Sequence, residues 1–303
     1  MIQEERAEIG GVATRAARTA GRDDLPAFLF LHGFSDSASG WRRLQRRLAE
    51  AGHTTLAVDQ PSHGDADPVR SDEPVIPQFV DFAAAAATVT DEGRPVIVVG
   101  NSLGGAHALL LGQHHPDLVH GVVAISPASF DHPRWFGVLD DDSRAGRTLR
   151  RIRAQAEGRA SRKTPNAVQR VLGRSIADGA IRNVAFGAPW RAPGGFVEDI
   201  RNQLRDQSRR DALHDLARQV HAEYFDATPV DLGAITVPVQ AIWGTRDRLV
   251  KLSSRATLEA GLADLDFVAL PSMGHMPQLE APGRTAKHIR RFADRLAVRT
   301  PTD

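Results

Sequence analysis

The chain has no cysteine among its 303 residues, which excludes disulfides, thiolate metal sites and a cysteine nucleophile together. That absence suits a reducing compartment, so a cytoplasmic protein is expected. Excess charge of either sign is also missing. With 38 Lys and Arg against 37 Asp and Glu, the formal net charge is +1, and neither nucleic acid nor an acidic membrane is called for as a partner. The arginines crowd between Arg144 and Arg218 and read as a solvated helical surface. Long apolar runs are absent too. Stretches such as Ala27–Leu31 and Pro95–Val99 fall far short of the roughly 20 residues that span a bilayer. Met1–Gly21 is charged and alanine-rich without the apolar centre of a secretion signal. No histidine pair has metal-ligand spacing on one helix face, so no metal is expected, and no cofactor motif or internal repeat is visible. Oligomeric state is not legible.

What is present is a rhythm of short apolar runs, each ending in glycine or a turn cluster. Ala27–Leu31, Thr54–Val58, Pro95–Val99, Leu118–Ile125, Val239–Trp243 and Asp266–Leu270 are such runs. They are continuous rather than alternating, which suggests strands buried on both faces, as in a parallel sheet. Helical stretches separate them: Gly40–Ala51, Gln78–Thr90, Leu103–His115, Ser253–Leu262 and Pro282–Val298. Such alternation predicts an α/β fold with right-handed crossovers, and Ala7–Arg18 could add one or two leading antiparallel strands. The rhythm breaks from about Ser129 to Leu232, where arginine-rich helical patterning surrounds the Pro189–Gly195 loop. About a hundred residues without a strand are too many for one loop. The expected organisation is a core of residues 1–128 and 233–303 with a helical cap, or lid, of residues 129–232.

The chemistry gathers at the predicted strand ends. Gly100-Asn101-Ser102-Leu103-Gly104 follows one strand and opens a helix. A strand that turns abruptly into a helix strains the serine backbone, and glycine two residues to either side removes the collision that larger residues would cause. Ser102 is the candidate nucleophile; an N-cap serine on a glycine-rich turn is the plainer alternative. Acyl transfer also needs two preorganised donors for an oxyanion. The amides of Leu103 and Phe34, the latter after His32-Gly33, are the candidates, with His32 pinning the loop rather than acting as base. A serine hydroxyl needs a base, and the base needs a carboxylate to fix its tautomer. His275, in Pro271–Pro277, and Asp247, after Trp243-Gly244, are the candidates. Asp247 could instead cap a helix or pair with Arg246 or Arg248, and Asp131 is a rival acid. Candidate pocket residues are Phe34, Phe130, Trp135, Trp190, Leu249, Val250 and Met276, each equally able to be core or cap packing.

Taken together, His32-Gly33-Phe34, Asp59-Gln60-Pro61-Ser62-His63-Gly64, Gly100–Gly105, Gly244–Asp247 and Gly274-His275 resemble the α/β-hydrolase superfamily over roughly residues 7–128 and 233–298. The resemblance implies a mostly parallel eight-stranded sheet flanked by helices, a lid inserted after the sixth strand, and the order Ser, Asp, His. It implies a serine hydrolase, a carboxylesterase or lipase-like enzyme acting on a small-molecule ester or other acyl substrate. The Gly-Asn-Ser-Leu-Gly-Gly form is similar to hydrolases that cleave carbon–carbon bonds in meta-cleavage products. This chain departs from them with Ser35-Asp36-Ser37 in the oxyanion loop and Met276 after the histidine. That reading would want an arginine of the cap, such as Arg191, for a substrate carboxylate. Acyl transfer and perhydrolysis remain open, as does a non-catalytic ligand-binding protein that kept the fold.

Overall fold

The first two strands form a hairpin, β1 (Gln3–Ile9) and β2 (Val12–Thr19), joined through Gly10 and Gly11. Both glycines have positive φ, 57° and 79°, as a two-residue hairpin turn of this hand demands. A computed structural model describes residues 1–70, 72–91, 93–128, 179, 182–203, 207–220, 222–223 and 230–299 of the chain. Six further strands follow: β3 (Ala27–Leu31), β4 (Thr55–Val58), β5 (Val96–Asn101), β6 (Gly121–Ile125), β7 (Val239–Gly244) and β8 (Leu265–Leu270). They make one sheet in the order β1-β2-β4-β3-β5-β6-β7-β8. Pairing is antiparallel at β1–β2 and β2–β4 and parallel elsewhere. The expected eight-stranded, mostly parallel sheet is therefore present.

Successive strand residues feed opposite faces. Leu29, Leu31, Val98 and Val122 pack with helices α2 (Val75–Asp91) and α3 (Leu103–His114) on one side. Phe28, Phe30, Val99 and Val123 pack with α1 (Arg42–Ala49) and a long C-terminal helix, Pro282–Arg299, on the other. Two covered faces are the reason that the runs are apolar throughout. Several boundaries are shifted from the sequence expectation, two of them for a visible reason. The run from Leu118 enters the sheet only at Gly121, because Leu118 N bonds His115 O in a turn that closes α3. The helix expected from Gly40 opens with a short 3-10 turn, Ala38–Trp41, that buries Trp41 before α1 begins.

The strand order reverses direction at β3. The chain moves from β3 outward to β4, then returns past β3 to β5. A crevice forms at such a switch point beyond the C-terminal strand ends, and the loops after β3 and β5 open into it. Between β6 and β7 lies the inserted segment, whose longer described helices are α4 (Phe196–Gln203) and α5 (Gln207–Val220). Its Glu223 accepts from Val75 N at 2.8 Å and Ile76 N at 2.9 Å, a carboxylate on the positive end of α2. The remaining helices are α6 (Arg255–Gly261), α7 (Pro277–Glu280) and α8 (Pro282–Arg299). Among the described residues no helix is long and apolar enough to cross a membrane.

Candidate active site

Ser102 is held at φ 54° and ψ −117° between β5 and α3, a conformation that non-glycine residues adopt only when their surroundings enforce it. The glycines allow it by close approach. A Cβ on Gly100 would lie 2.0 Å from Gly104 O, and one on Gly104 would lie 2.2 Å from Leu31 O. Ser102 N donates to Ile125 O at 2.9 Å, and Ser102 O accepts from Ala106 N and Ala128 N, each at 3.1 Å. The amide of Leu103 is the first of α3, where no carbonyl of the preceding turn can meet it.

The loop after β3 crosses this turn closely. A Cβ on Gly33 would stand 3.2 Å from Ser102 Cβ. His32 Nδ1 donates to Gly33 O at 2.8 Å, while Nε2 accepts from Gln60 N at 2.9 Å. Both ring nitrogens are thus used within the loop, and burial above all pushes the imidazole down to about 4. His32 stays neutral and structural. Asp59, with its side chain fully buried, takes Arg15 in a two-pronged ion pair at 3.0 and 3.1 Å and accepts from Ala38 N at 2.7 Å. It ties the loop after β4 to the one after β3.

Asp247 and His275 follow β7 and β8. His275 Nδ1 donates to Asp247 Oδ2 at 2.9 Å. The other carboxylate oxygen accepts from Leu249 N at 2.8 Å and Val250 N at 3.0 Å. Burial, the largest influence, would raise the Asp247 pKa. The charge and hydrogen bond of His275, the Val250 amide and the nearby Ser126 hydroxyl together outweigh it and hold the group below its ordinary 3.8. The Ser126 hydroxyl acts there at longer range, since it makes no hydrogen bond of ordinary length among the described residues. The carboxylate is therefore ionised and fixed at three points.

Asn101 joins the two halves of the site. Its Nδ2 donates to Ile125 O at 3.0 Å and to His275 O at 3.1 Å, so the residue beside Ser102 grips the turn that carries His275. Sequence reasoning overlooked that role; the only signal was an amide wedged into an otherwise small, apolar motif. Glu280 was overlooked as well. Its side chain is wholly buried, and it accepts from Gly274 N and Gly187 N.

The expected pocket residues part company. Phe34 is half-buried, its ring edge-on to His63 at 5.6 Å. Leu249 and Val250 serve through their amides on Asp247, and Val250 is core. Met276 is buried in an apolar cluster with Phe186 and Leu279 that seats the inserted segment. Trp190 is 82% exposed, carried outward on the Pro189–Arg191 turn. Phe130, Trp135 and Asp131 lie outside the described residues. Arg191 is engaged by Ser272 O at 2.7 Å and by Glu280. A separate cavity of about 290 Å³, lined by Asp36, Arg42, Arg43, Arg46, Phe196 and Asp199 among others, contains none of Ser102, Asp247 and His275.

Residues 28–288 match the model of the alpha/beta hydrolase family, and the chain belongs to that family. Among its relatives, 2-(acetamidomethylene)succinate hydrolase of Mesorhizobium japonicum is 27% identical, over 89% of this chain and 88% of that protein. Monoacylglycerol lipase ABHD6 of Homo sapiens is 25% identical, over 87% and 74%. The solved structure of 2-hydroxy-6-oxo-6-phenylhexa-2,4-dienoate hydrolase from Rhodococcus sp. strain RHA1 superposes with a TM-score of 0.76 at 21% identity, covering 97% of this chain and 99% of that one. That last likeness is one of fold.

Proposed function

We propose that the protein is a serine hydrolase that cleaves a carboxylic ester of a small to medium apolar substrate through an acyl-enzyme on Ser102. The observation that carries this reading is the 2.9 Å bond from His275 Nδ1 to an ionised Asp247, at the sheet edge where Ser102 stands on its strained turn. With Nδ1 donating to the carboxylate, Nε2 keeps a lone pair and is free to act as base. His275 takes the Ser102 proton as Oγ attacks the ester carbonyl. The amides of Leu103 and Phe34 receive the developing oxyanion. Asp247 steadies the imidazolium, which returns the proton to the leaving alcohol. Water, activated by the same imidazole, then releases the acid and frees Ser102.

Carbon–carbon bond hydrolysis is the weaker alternative. It would want Arg191 free for a substrate carboxylate, whereas that guanidinium is occupied by Ser272 O and Glu280. A non-catalytic receptor would have no use for a carboxylate held at three points behind an imidazole. The test is a chain-length panel of p-nitrophenyl esters with wild type and Ser102→Ala, run beside a coloured dienolate. Wild-type ester turnover that vanishes in Ser102→Ala is expected. Turnover that survives the substitution sinks the mechanism, and turnover of the dienolate alone transfers the assignment to the carbon–carbon hydrolases.

A further inference from the structure

The turn that carries His275 is supported from two sides. From the core, Asn101 Nδ2 donates to His275 O at 3.1 Å, and Arg246 N donates to Met273 O at 2.8 Å. Ser272 N also donates to Thr245 Oγ1 at 2.9 Å. Further contacts come from the inserted segment. His275 N donates to Ala185 O at 2.9 Å, and Arg191 Nη1 donates to Ser272 O at 2.7 Å. Glu280 bridges the two bodies of chain. Its Oε1 accepts from Gly274 N at 2.5 Å and from Gly187 N at 3.1 Å, and its Oε2 accepts from Gly187 N at 3.1 Å and faces Arg191 Nη1 at 3.6 Å. The backbones meet with nothing between them. A Cβ on Gly187 would fall 2.3 Å from Ser272 O, and one on Gly274 would fall 2.3 Å from Gly187 N. Phe186, Phe196, Met276 and Leu279 seal the contact with apolar surface.

We propose that Glu280 is a positioning residue that makes the inserted segment part of the support of His275, so that the seating of Ala185–Arg191 sets the position of the base. The proposal rests on His275 being the base of the hydrolysis above. A buried carboxylate is tolerated only where donors or cations surround it; Glu280 has two donating amides from opposite sides of one seam and, at ion-pair distance, a cation of the inserted segment. Removing it leaves both amides in an apolar seam without an acceptor, and the seam must open or shift. The base moves with that seam, because its own amide is bonded across it. Proton transfer is steep in distance, and a displacement of about 1 Å costs on the order of 10²-fold in rate. Ser102 is spared, since its turn is held by Ile125, Ala106 and Ala128.

The test compares Glu280→Ala, Glu280→Gln and Gly187→Ala on the p-nitrophenyl ester that the wild type hydrolyses best, with fluorophosphonate labelling of Ser102 and the NMR signal of the His275 Nδ1 proton as further readouts. Glu280→Ala is expected to lower kcat about 10²-fold with KM within about threefold, to slow labelling in parallel and to broaden the imidazole proton. Glu280→Gln keeps an oxygen for Gly274 N and should hold kcat within about tenfold of wild type, with the proton signal intact. Gly187→Ala touches no reacting atom, yet it should lower kcat and broaden the same signal. A folded Glu280→Ala with unchanged kcat, labelling and proton signal overturns the proposal, even if its melting temperature falls. Where Glu280→Ala fails to fold, an unchanged kcat and proton signal in Gly187→Ala overturns it instead. Wild type that shows no Ser102-dependent turnover or labelling refutes the hydrolase reading, while the imidazole proton still decides the positioning.

Discussion

His63 lies fully buried with its ring 5.1 Å from that of His32 and 6.5 Å from that of Phe79. Nδ1 donates to Pro61 O at 2.9 Å, and Nε2 has no hydrogen-bond partner among the described residues. Burial first, and then the neighbouring His32, push its pKa from 6.5 down to about 3. In the unfolded chain the same ring takes a proton near its ordinary value. Between these limits the unfolded state binds more protons, so the contribution of His63 is present above about pH 6.5 and is lost as the pH falls. At pH 5 the gap is about 1.5 pH units at ~1.4 kcal/mol each, or about 2 kcal/mol. His32, pushed to about 4, acts with the same sign.

The total stability curve mixes this with an opposing group. Burial raises Asp36 from 3.8 to about 7, with Asp59 and Asp199 adding to it against the Ser37 amide and Arg15. Asp36 therefore stabilises at low pH and loses that contribution as the pH rises. The difference between wild type and His63→Gln removes Asp36 and every other shared group. Urea unfolding at pH 7, 6 and 5 should show wild type losing about 2 kcal/mol relative to His63→Gln by pH 5, with the denaturant slope unchanged. Whatever the substitution costs at pH 7 cancels in that comparison. A difference constant from pH 7 to 5 refutes the reasoning and means that His63 accepts a proton in place.

Asp247→Asn keeps its oxygen on the Leu249 and Val250 amides and turns an NH2 toward His275 Nδ1. The ring then carries its proton on the wrong nitrogen, and kcat should fall about 10⁴-fold, against little change for Asp131→Asn; a larger loss at Asp131 overturns the assignment of the acid. Gly104→Ala sets a methyl 2.2 Å from Leu31 O and 2.5 Å from His32 O, backbone atoms that have no rotamer to yield. It should destabilise by about 3 kcal/mol despite the ~1 kcal/mol gain in helix propensity, and an unshifted urea midpoint would show that the crossing is looser than it stands here.

Much of the fold was legible because burial on both faces writes itself as continuous apolar runs. Ala27–Leu31 is a strand to the residue, and the other runs are displaced only at their ends, where a turn such as His115–Leu118 takes the first residues. The leading hairpin was less distinct, since Arg15, Arg18 and the glutamates of β1 mask its alternation. At the candidate site, the residues proposed on strand ends were picked out by chemical type. Their supports were not. Asn101 and Glu280 act on backbone atoms of His275, Gly274 and Gly187, and a backbone amide looks the same in every sequence. Where an apolar side chain such as Met276 or Trp190 ends up was not legible for a related reason: it packs or projects according to neighbours that lie far along the chain.

The sequence by itself determined the family, the sheet and the sharp turn at Ser102, because local rules govern them. Apolar period sets burial, and a turn this tight admits only glycine at positions 100 and 104. Tertiary structure alone decided that the carboxylate on the His275 ring is Asp247, 28 residues away, and that Asn101 and Glu280 grip the histidine turn from opposite sides. It also decided that Arg191 Nη1 meets Ser272 O and Glu280. These are long-range pairings among buried polar groups, each of which must find a partner. Only the folded chain specifies which one is within reach.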